Sequence, residues 1–502
     1  MYNFFSDQKI KAVNGLNLLT KNEYRDIHQA TLQVLKKTGV FVEDQKAREV
    51  FGSCGARVDE KNMIIKLPSP MVEDAIESAP AEVTLAGRDP KHDILLNNNG
   101  SSYLNFGGGI NVVDPYTGVV RQSTKTDLAA SARLCDALKE VNLYSRAVYP
   151  LDQPQKSLHL HTAEACFNNT SKPFLNGPES EWETKKIIEM AAAAVGGEEK
   201  LKARKPIVFI SAVSSPLKLS RKFCETIMTS SQADFPTFIA SMAMAGGTAP
   251  VHLAGVLVQT NAEILAGVVL AQLVRKGIPV VYNSYSTAMD LRLGTSPLGS
   301  PETALVGASV AGLCRYYQLP CLVPGLSSDS KQHGSQAAFE KAITGMAAAM
   351  AGASILVGIG GLETGLTFDF GQAVLDDEIV RMIKHLKQGI EVKAETLSID
   401  LIDEIGQMGN YLSHETTFSK MKSFSQTHLF DRNNREDWEN NGKPDSYARA
   451  LARAIELLES HQPEPLPAGA AERIQDIVVE AEKEINTSNT GHFHPMKHTK
   501  AA

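Results

Sequence analysis

IPVVYNSYSTAMDLRLGTSPLGSPETALVGASVAGLCRYYQLPCLVP, residues 278–324, holds one complete unit of the pattern that decides the fold. An apolar run at 278–283 leads through a loop into a segment of helical periodicity at 301–317, and a second apolar run follows at 319–324. Parallel strands need a crossover between them, and a helix supplies it. The unit recurs on both sides. Further apolar runs lie at 102–106, 141–149, 173–177, 206–213, 235–240 and 354–360. Their helical partners fall at 126–138, 156–168, 181–196, 217–232, 259–276, 335–352 and 372–388. Eight strand–helix units are the number at which a parallel sheet closes, so the expected class is α/β, a TIM (β/α)8 barrel. Its catalytic groups then sit where strands end and the following loops begin.

The barrel accounts for 101–390 of the 502 residues. Residues 1–100 read as an α+β extension: helices at 21–38, 44–54 and 69–78, with extended runs at 56–66, 82–86 and 93–97. Ser69-Pro70 reads as an N-cap followed by proline at the first helical position. Asn97-Asn98-Asn99-Gly100 reads as a turn. Residues 110–121, INVVDPYTGVVR, read as a hairpin inserted after the first strand. Residues 391–502 read as a helical extension and tail, with a polar irregular stretch at 422–448 and a proline-marked linker before a helix at 469–486. Helix 259–276 is mostly Ala, Val, Leu and Gly, and its composition suggests burial at a subunit contact; a homo-oligomer is therefore expected.

Charged residues make up 21% of the chain and hydrophobic ones 43%, ordinary for a globular protein. A net charge of −7 without a basic block argues against nucleic acid. No signal peptide is legible at 1–15, and the apolar stretches at 264–274 and 342–360 are too short or too interrupted to span a bilayer. The expected location is cytoplasmic, with no membrane partner. The six cysteines form no CxxC pair and read as small core residues. No metal site is expected: His159 and His161, two apart on a helix, face different ways, and His492, His494 and His498 fall in the tail.

The strand ends hold the candidate chemistry. Asn105-Phe106-Gly107-Gly108-Gly109 follows the first strand, where glycines permit either a close ligand or a tight turn. Ser241 to Pro250, with Gly246 and Gly247, has no titratable group and reads as a wall. Asn283-Ser284-Tyr285-Ser286, Asp290 and Arg292 follow the sixth strand. The seventh ends in Ser327-Ser328-Asp329-Ser330-Lys331-Gln332-His333, the most polar of the set. The eighth ends in Gly358-Ile359-Gly360-Gly361-Leu362-Glu363-Thr364; Glu363 and the lack of a following Lys or Arg oppose a phosphate there. Without an evident acid–base set, the pattern favours a reaction governed by placement. Aromatics at the strand ends, Tyr103, Phe106, Tyr149 and Tyr285 among them, are either a cage for a quaternary ammonium or ordinary barrel filling.

Four stretches carry a family resemblance: GARVDEKNMIIKLPSPMVEDAIESAPAEVTLAGRDPKHD (55–93), AMAGGTAPVHLAGVLVQTNAEILAG (243–267), GLSSDSKQHGSQAAFEKAITG (325–345) and GLETGLTFDFGQAVLDDEIVRMIKHL (361–386). Together they resemble the trimethylamine methyltransferase superfamily over nearly the whole chain to about residue 460. The resemblance implies a barrel that transfers a methyl group from an N-methylated amine to the cobalt of a corrinoid (cobalamin) on a separate protein. The founding branch carries pyrrolysine, and this chain has none. It is therefore similar to the non-pyrrolysine branch, whose members demethylate glycine betaine, proline betaine or carnitine. Where some relatives carry a histidine shortly before the Gly-Leu-Glu of strand eight, this chain has Gly358-Ile359-Gly360.

The chemistry of such a transfer sets the expectations for the site. A quaternary ammonium already carries its charge and leaves as a neutral amine, so in-line displacement needs alignment and desolvation but no general acid. Tyr103, Phe106, Tyr149 and Tyr285 would surround the ammonium, with Asp329 beside them. Arg292, Lys331 or His333 would pair with a carboxylate, and Lys331, His333 and Glu363 are the candidate catalytic residues. Gly107, Gly108, Gly246, Gly247, Gly360 and Gly361 would admit the corrinoid. Two other functions remain open: a Schiff-base lyase using Lys331, and a non-catalytic cytoplasmic betaine sensor.

Overall fold

In the computed structural model, which describes residues 15–97 and 100–490, eight parallel strands form one ring. They are β1 (Ser102–Asn105), β2 (Tyr144–Ser145), β3 (Phe174–Asn176), β4 (Ile207–Ala212), β5 (Thr237–Ser241), β6 (Val280–Ser284), β7 (Cys321–Pro324) and β8 (Ile355–Ile359). β8 pairs back onto β1, and a bridge between Leu104 and Leu143 joins β1 to the β2 segment, so the sheet closes. The outer helices are α1 (Lys125–Ala137), α2 (Leu158–Asn169), α3 (Glu181–Val195), α4 (Arg221–Gln232), α5 (Leu253–Val274), α6 (Pro301–Tyr317), α7 (Ser335–Met350) and α8 (Phe370–Lys387). The fold is a TIM (β/α)8 barrel with an N-terminal α+β extension and a C-terminal helical extension. The tail histidines, residues 1–14 and the pair Asn98-Asn99 lie outside the described residues.

Strand alternation fixes what faces the lumen. Leu104, Leu175, Val208, Phe238, Val281 and Leu322 share one apolar cluster inside the ring. Tyr103, Phe174, Phe209, Ile239, Tyr282 and Val323 belong instead to the layer between sheet and helices. The antiparallel pair Val83–Leu85 and Ile94–Leu96 adds Val83, Leu85, Ile94 and Leu96 to the lumen cluster. The nearby Arg88 N–H donates to Ser171 O, just ahead of β3, so this hairpin plugs the end where the strands begin. The opposite end is left for ligands.

Two expectations change. α5 is covered by the chain's own helices Lys21–Lys37, Gln45–Ser53 and Ser69–Ser78. By length and composition it could cross a membrane, but here it is a core helix. Burial on every side leaves it little amphipathic contrast, which is why its start at Leu253 was not legible. In helix Ser69–Ser78 the N-cap is Pro68, Ser69 is already helical, and no side chain caps the turn.

At the plugged end Lys172 is buried, its ammonium donating to Cys135 O and Leu138 O at 2.7 Å each. Burial lowers its pKa from 10.5 to about 8. Between those values the unfolded chain holds a proton that the folded chain has released, so stability rises with pH. The gain is up to about 3 kcal/mol. Thermal melts from pH 8 to 10 should show wild type gaining relative to Lys172→Met; parallel curves would contradict this.

Candidate functional site

Toward their C-terminal ends the lumen-facing positions shrink. Ser145 follows Leu143, Gly177 follows Leu175, Ala212 follows Ile210, Ala240 follows Phe238 and Pro324 follows Leu322. The strand ends therefore enclose a chamber. Phe106, Ile210 and Tyr285 are half-buried members of the lumen cluster, and Ala212 is exposed, so solvent reaches this level from the mouth. Met242 continues the inward face of β5. Phe106 is wedged by the β8 loop: a Cβ on Gly365 would fall 1.8 Å from its ring, so no side chain fits there.

Asn283 shares the inward face of β6 with Val281 and Tyr285. It is fully buried; among the described residues its amide meets no partner at full hydrogen-bond geometry, and the Tyr285 hydroxyl is the polar group that interacts with it. Burying an amide without well-formed hydrogen bonds costs about 1–3 kcal/mol, so the position is an energetic exception beneath the strand ends. Tyr285, two residues on, is half-buried above it; burial pushes the phenol up to about 12, with Asn283 opposing, so the ring bears a neutral hydroxyl. None of these chamber side chains is a carboxylate, an imidazole or an amine.

Loop contacts build the rim. Glu363 N–H donates to Ser330 O at 2.8 Å and Thr364 N–H to Ser328 O at 2.9 Å, joining the loops after β7 and β8. Leu326, Glu363 and Thr364 all hold left-handed backbone, with φ of 62°, 53° and 58°. Such strain, on the order of 1–3 kcal/mol each, persists only where surrounding contacts impose it. One of those contacts is the fully buried Lys341, whose Nζ donates to Leu326 O at 2.8 Å, Gly358 O at 3.1 Å and Asp376 Oδ2 at 2.8 Å. Asp376 in turn accepts from Gly360 N–H at 2.8 Å. On the opposite side Glu263 of α5 accepts from Ser215 Oγ, Leu217 N–H and Ser241 Oγ, fixing the loops after β4 and β5. The expected hairpin forms as Asn111–Val113 and Val120–Gln122 and joins Gly361–Leu362 and Thr367–Asp369 in a four-stranded sheet over the mouth.

The structure separates the residues expected together. Phe106 and Tyr285 face the chamber. Tyr103 does not: it points into the helical layer, fully buried, its ring 5.2 Å from Lys384 Nζ, because it is the outward neighbour of Leu104. Tyr149 has a face taken by Arg146, whose guanidinium carbon is 3.7 Å from the ring centroid. Asp329 ties loops together, accepting from Leu298 N–H, Gly299 N–H and Thr364 Oγ1. Arg292 is 86% exposed and pairs with Asp290. His333 stacks on Tyr447, centroids 3.4 Å apart, and Tyr447 donates to Asp369. Glu363 Oε2 accepts from Thr367 Oγ1 at 2.9 Å. Lys331 is exposed and donates to Asp329 O at 3.0 Å; among the described residues no carboxylate is paired with it. Gly107 is required by the approach of β2, a Cβ there meeting Ser145 Oγ at 2.2 Å, and Gly361 by Phe106. Gly108, Gly246 and Gly360 have positive φ, and Gly246 and Gly247 are exposed at the rim.

Sequence reasoning missed Lys341, Asp376 and Glu263. A lone charge on an otherwise apolar helix was the available signal for Glu263 in α5, and the pair Glu340-Lys341 on the small-residue helix α7 was the signal there. It also gave no role to Asn283, although an amide closing the run VVYN was visible.

Similarity to known proteins adds to this geometry. The family model for trimethylamine methyltransferase matches residues 6–486. A trimethylamine methyltransferase of Desulfitobacterium hafniense is 42% identical over 476 residues, 95% of this chain and 96% of that protein. One from Methanosarcina thermophila is 37% identical over 471 residues, 92% and 98% of the two chains. A glycine betaine methyltransferase of Desulfitobacterium hafniense is 31% identical over 472 residues, 93% and 98% of the two. The crystal structure of the Methanosarcina barkeri monomethylamine methyltransferase superposes with a TM-score of 0.50 at 13% identity, covering 87% of this chain and 92% of that one, a likeness of fold.

Proposed function

The chain belongs to the trimethylamine methyltransferase family, and from that premise we propose that it takes a methyl group from a quaternary amine of the betaine class and delivers it to a corrinoid borne by a separate protein. The observation that carries this reading is the chamber: Phe106, Ile210, Met242 and Tyr285 around a space whose one buried amide is Asn283, without an acid or base among them. A tertiary amine must be held protonated, or be activated by another electrophile, before its nitrogen can leave as a neutral amine. A quaternary ammonium requires no such help, and this chamber offers no group to give it. Phe106 and Tyr285 supply ring faces to the ammonium. They also exclude water from the methyl group that points to the mouth.

The rim fits a flat macrocycle presented by a partner: Ala212, Ser214, Gly246 and Gly247 are exposed there and leave room above the chamber. When bound, the reduced cobalt supplies the nucleophile. Of the three cations expected to meet a substrate carboxylate, Arg292 already pairs with Asp290 and His333 stacks on Tyr447, whereas Lys331 has no carboxylate partner among the described residues. Lys331 remains. Its exposure also removes support from the lyase alternative, since an amine that forms Schiff bases must first be desolvated. All six cysteines are free thiols, as suits the reducing cytoplasm in which we place the reaction.

The relatives named for trimethylamine share more identity with this chain than the glycine betaine enzyme does, so trimethylamine is the competing donor. Lys331→Ala separates the two. It should raise KM for glycine betaine about tenfold, the equivalent of ~1.4 kcal/mol, and leave KM for a methylated amine without a carboxylate unchanged. Equal effects on both donors, or none on either, would contradict the assignment of Lys331.

A further inference from the structure

Between α8 and Leu429 the chain makes an excursion that its own barrel does not cover. Its helices Ala394–Leu397, Ile399–Ile405 and Glu415–Lys420 contain no buried residue. Eleven large hydrophobic side chains between Ile390 and Phe424 are exposed, among them Ile390 at 93%, Leu412 at 80% and Phe418 at 79%. Both ends are anchored: α8 runs to Lys387 on the barrel, and at the other end His428 N–H donates to Glu378 Oε1 while Leu429 is buried. The excursion is a tethered arm.

The outer face of the barrel carries a second exposed apolar surface. Outer helices of a barrel ordinarily turn charges to water, and α3 and α4 do so with Lys185, Glu189, Arg221 and Lys222. α7 does not. Beyond its first turn, where Ser335 and Gln336 are exposed, its exposed side is Ala338, Phe339, Ala342 and Ile343, with Phe339 68% exposed. Met382 and Leu386 of the neighbouring α8 extend the strip.

We propose that the arm 390–424 is the interface element of a homo-oligomer, laid across the α7–α8 strip of a second copy of this chain. Three observations select that occupant. One chain carries both apolar surfaces, so two copies can exchange arms and cover both by the same contact, as an isologous interface requires. The size is right: eleven exposed large hydrophobic side chains present on the order of 1,000 Å² in all, near the ~800 Å² per partner of a stable interface. The chemistry is right as well, because continuously exposed Ile, Leu, Met and Phe suit a permanent partner. A carrier protein that must come and go is met by a more polar face. Since α7 starts directly after Lys331-Gln332-His333, the docked arm would lie beside the loop that carries Lys331.

The test uses the full chain. A photoreactive residue replacing Phe339 is irradiated in a mixture of light and heavy isotope-labelled protein, and cross-linked peptides are sequenced. The expected result is mixed-isotope cross-links from position 339 to residues 390–424. In parallel, L412D/F418D and, separately, F339D should weaken self-association at least a hundredfold by sedimentation, with far-UV circular dichroism unchanged. A wild-type chain that sediments as a monomer at micromolar concentration would overturn the proposal. So would cross-links confined within one chain, or cross-links that form only to an added corrinoid protein.

Discussion

Lys341→Met should be the most damaging single substitution in the barrel, lowering stability by about 3–5 kcal/mol. Neither member of the Lys341–Asp376 pair has any accessible side-chain surface, so removing the ammonium leaves an uncompensated carboxylate in the interior. The same ammonium also satisfies the carbonyls of Leu326 and Gly358, and Leu326 sits in left-handed backbone. Its loss therefore unpins the loops of β7 and β8 together. The double variant Lys341→Met/Asp376→Leu should recover much of the loss, because no charge is then stranded. Chemical denaturation of the three proteins checks this; a double variant no more stable than the single one would show that the carbonyl contacts, not the buried charge, dominate.

Asn283→Leu should do two opposite things. It removes a buried amide whose one polar neighbour, the Tyr285 hydroxyl, is poorly placed for it, so the folded chain should gain about 1 kcal/mol and its Tm should rise. It should also lower kcat/KM about a hundredfold or more, because the chamber loses the buried amide beneath Tyr285. Rising stability with falling activity is the mark of a group retained for function. Tyr285→Phe, by comparison, keeps the ring face and should have a small effect, while Tyr285→Ala opens the chamber and should cost as much as Asn283→Leu. Melting curves and initial rates on the same preparations decide the matter. A stabilised Asn283→Leu protein with full activity would remove Asn283 from the site.

How much of the molecule was legible in the sequence depends on which physical signal each feature leaves. Strand–helix alternation is a repeated signal, so the eight units, the α6 range 301–317 and the hairpin over the mouth could all be read directly. Facing is a subtler matter. Tyr103 and Phe106 are three residues apart on one strand end, so they fall on opposite faces, but which face was inward became clear only when Leu104 and the plug Val83–Leu85 were seen in one cluster. The loop residues were read as chemistry because they are polar. In the structure Asp329 and Glu363 use that polarity on neighbouring backbone and hydroxyl groups, a role that depends on contacts between loops distant in sequence. Lys341 and Asp376 were hidden for the same reason: each lies on a different helix, and nothing local announces that they meet. The arm at 390–424 looked like ordinary polar helix because its apolar residues are scattered among charges, and only their exposure sets them apart.

At the centre stands a chamber that holds a permanently charged methyl donor. The measurement that tests it most directly supplies the purified chain with cob(I)alamin and, one at a time, glycine betaine, proline betaine, carnitine, trimethylamine and dimethylamine, and follows methylcobalamin by visible absorbance. Methyl transfer is expected from at least one of the betaines, and none above background from the two amines that lack a quaternary nitrogen. Turnover of trimethylamine with every betaine inert would contradict the assignment.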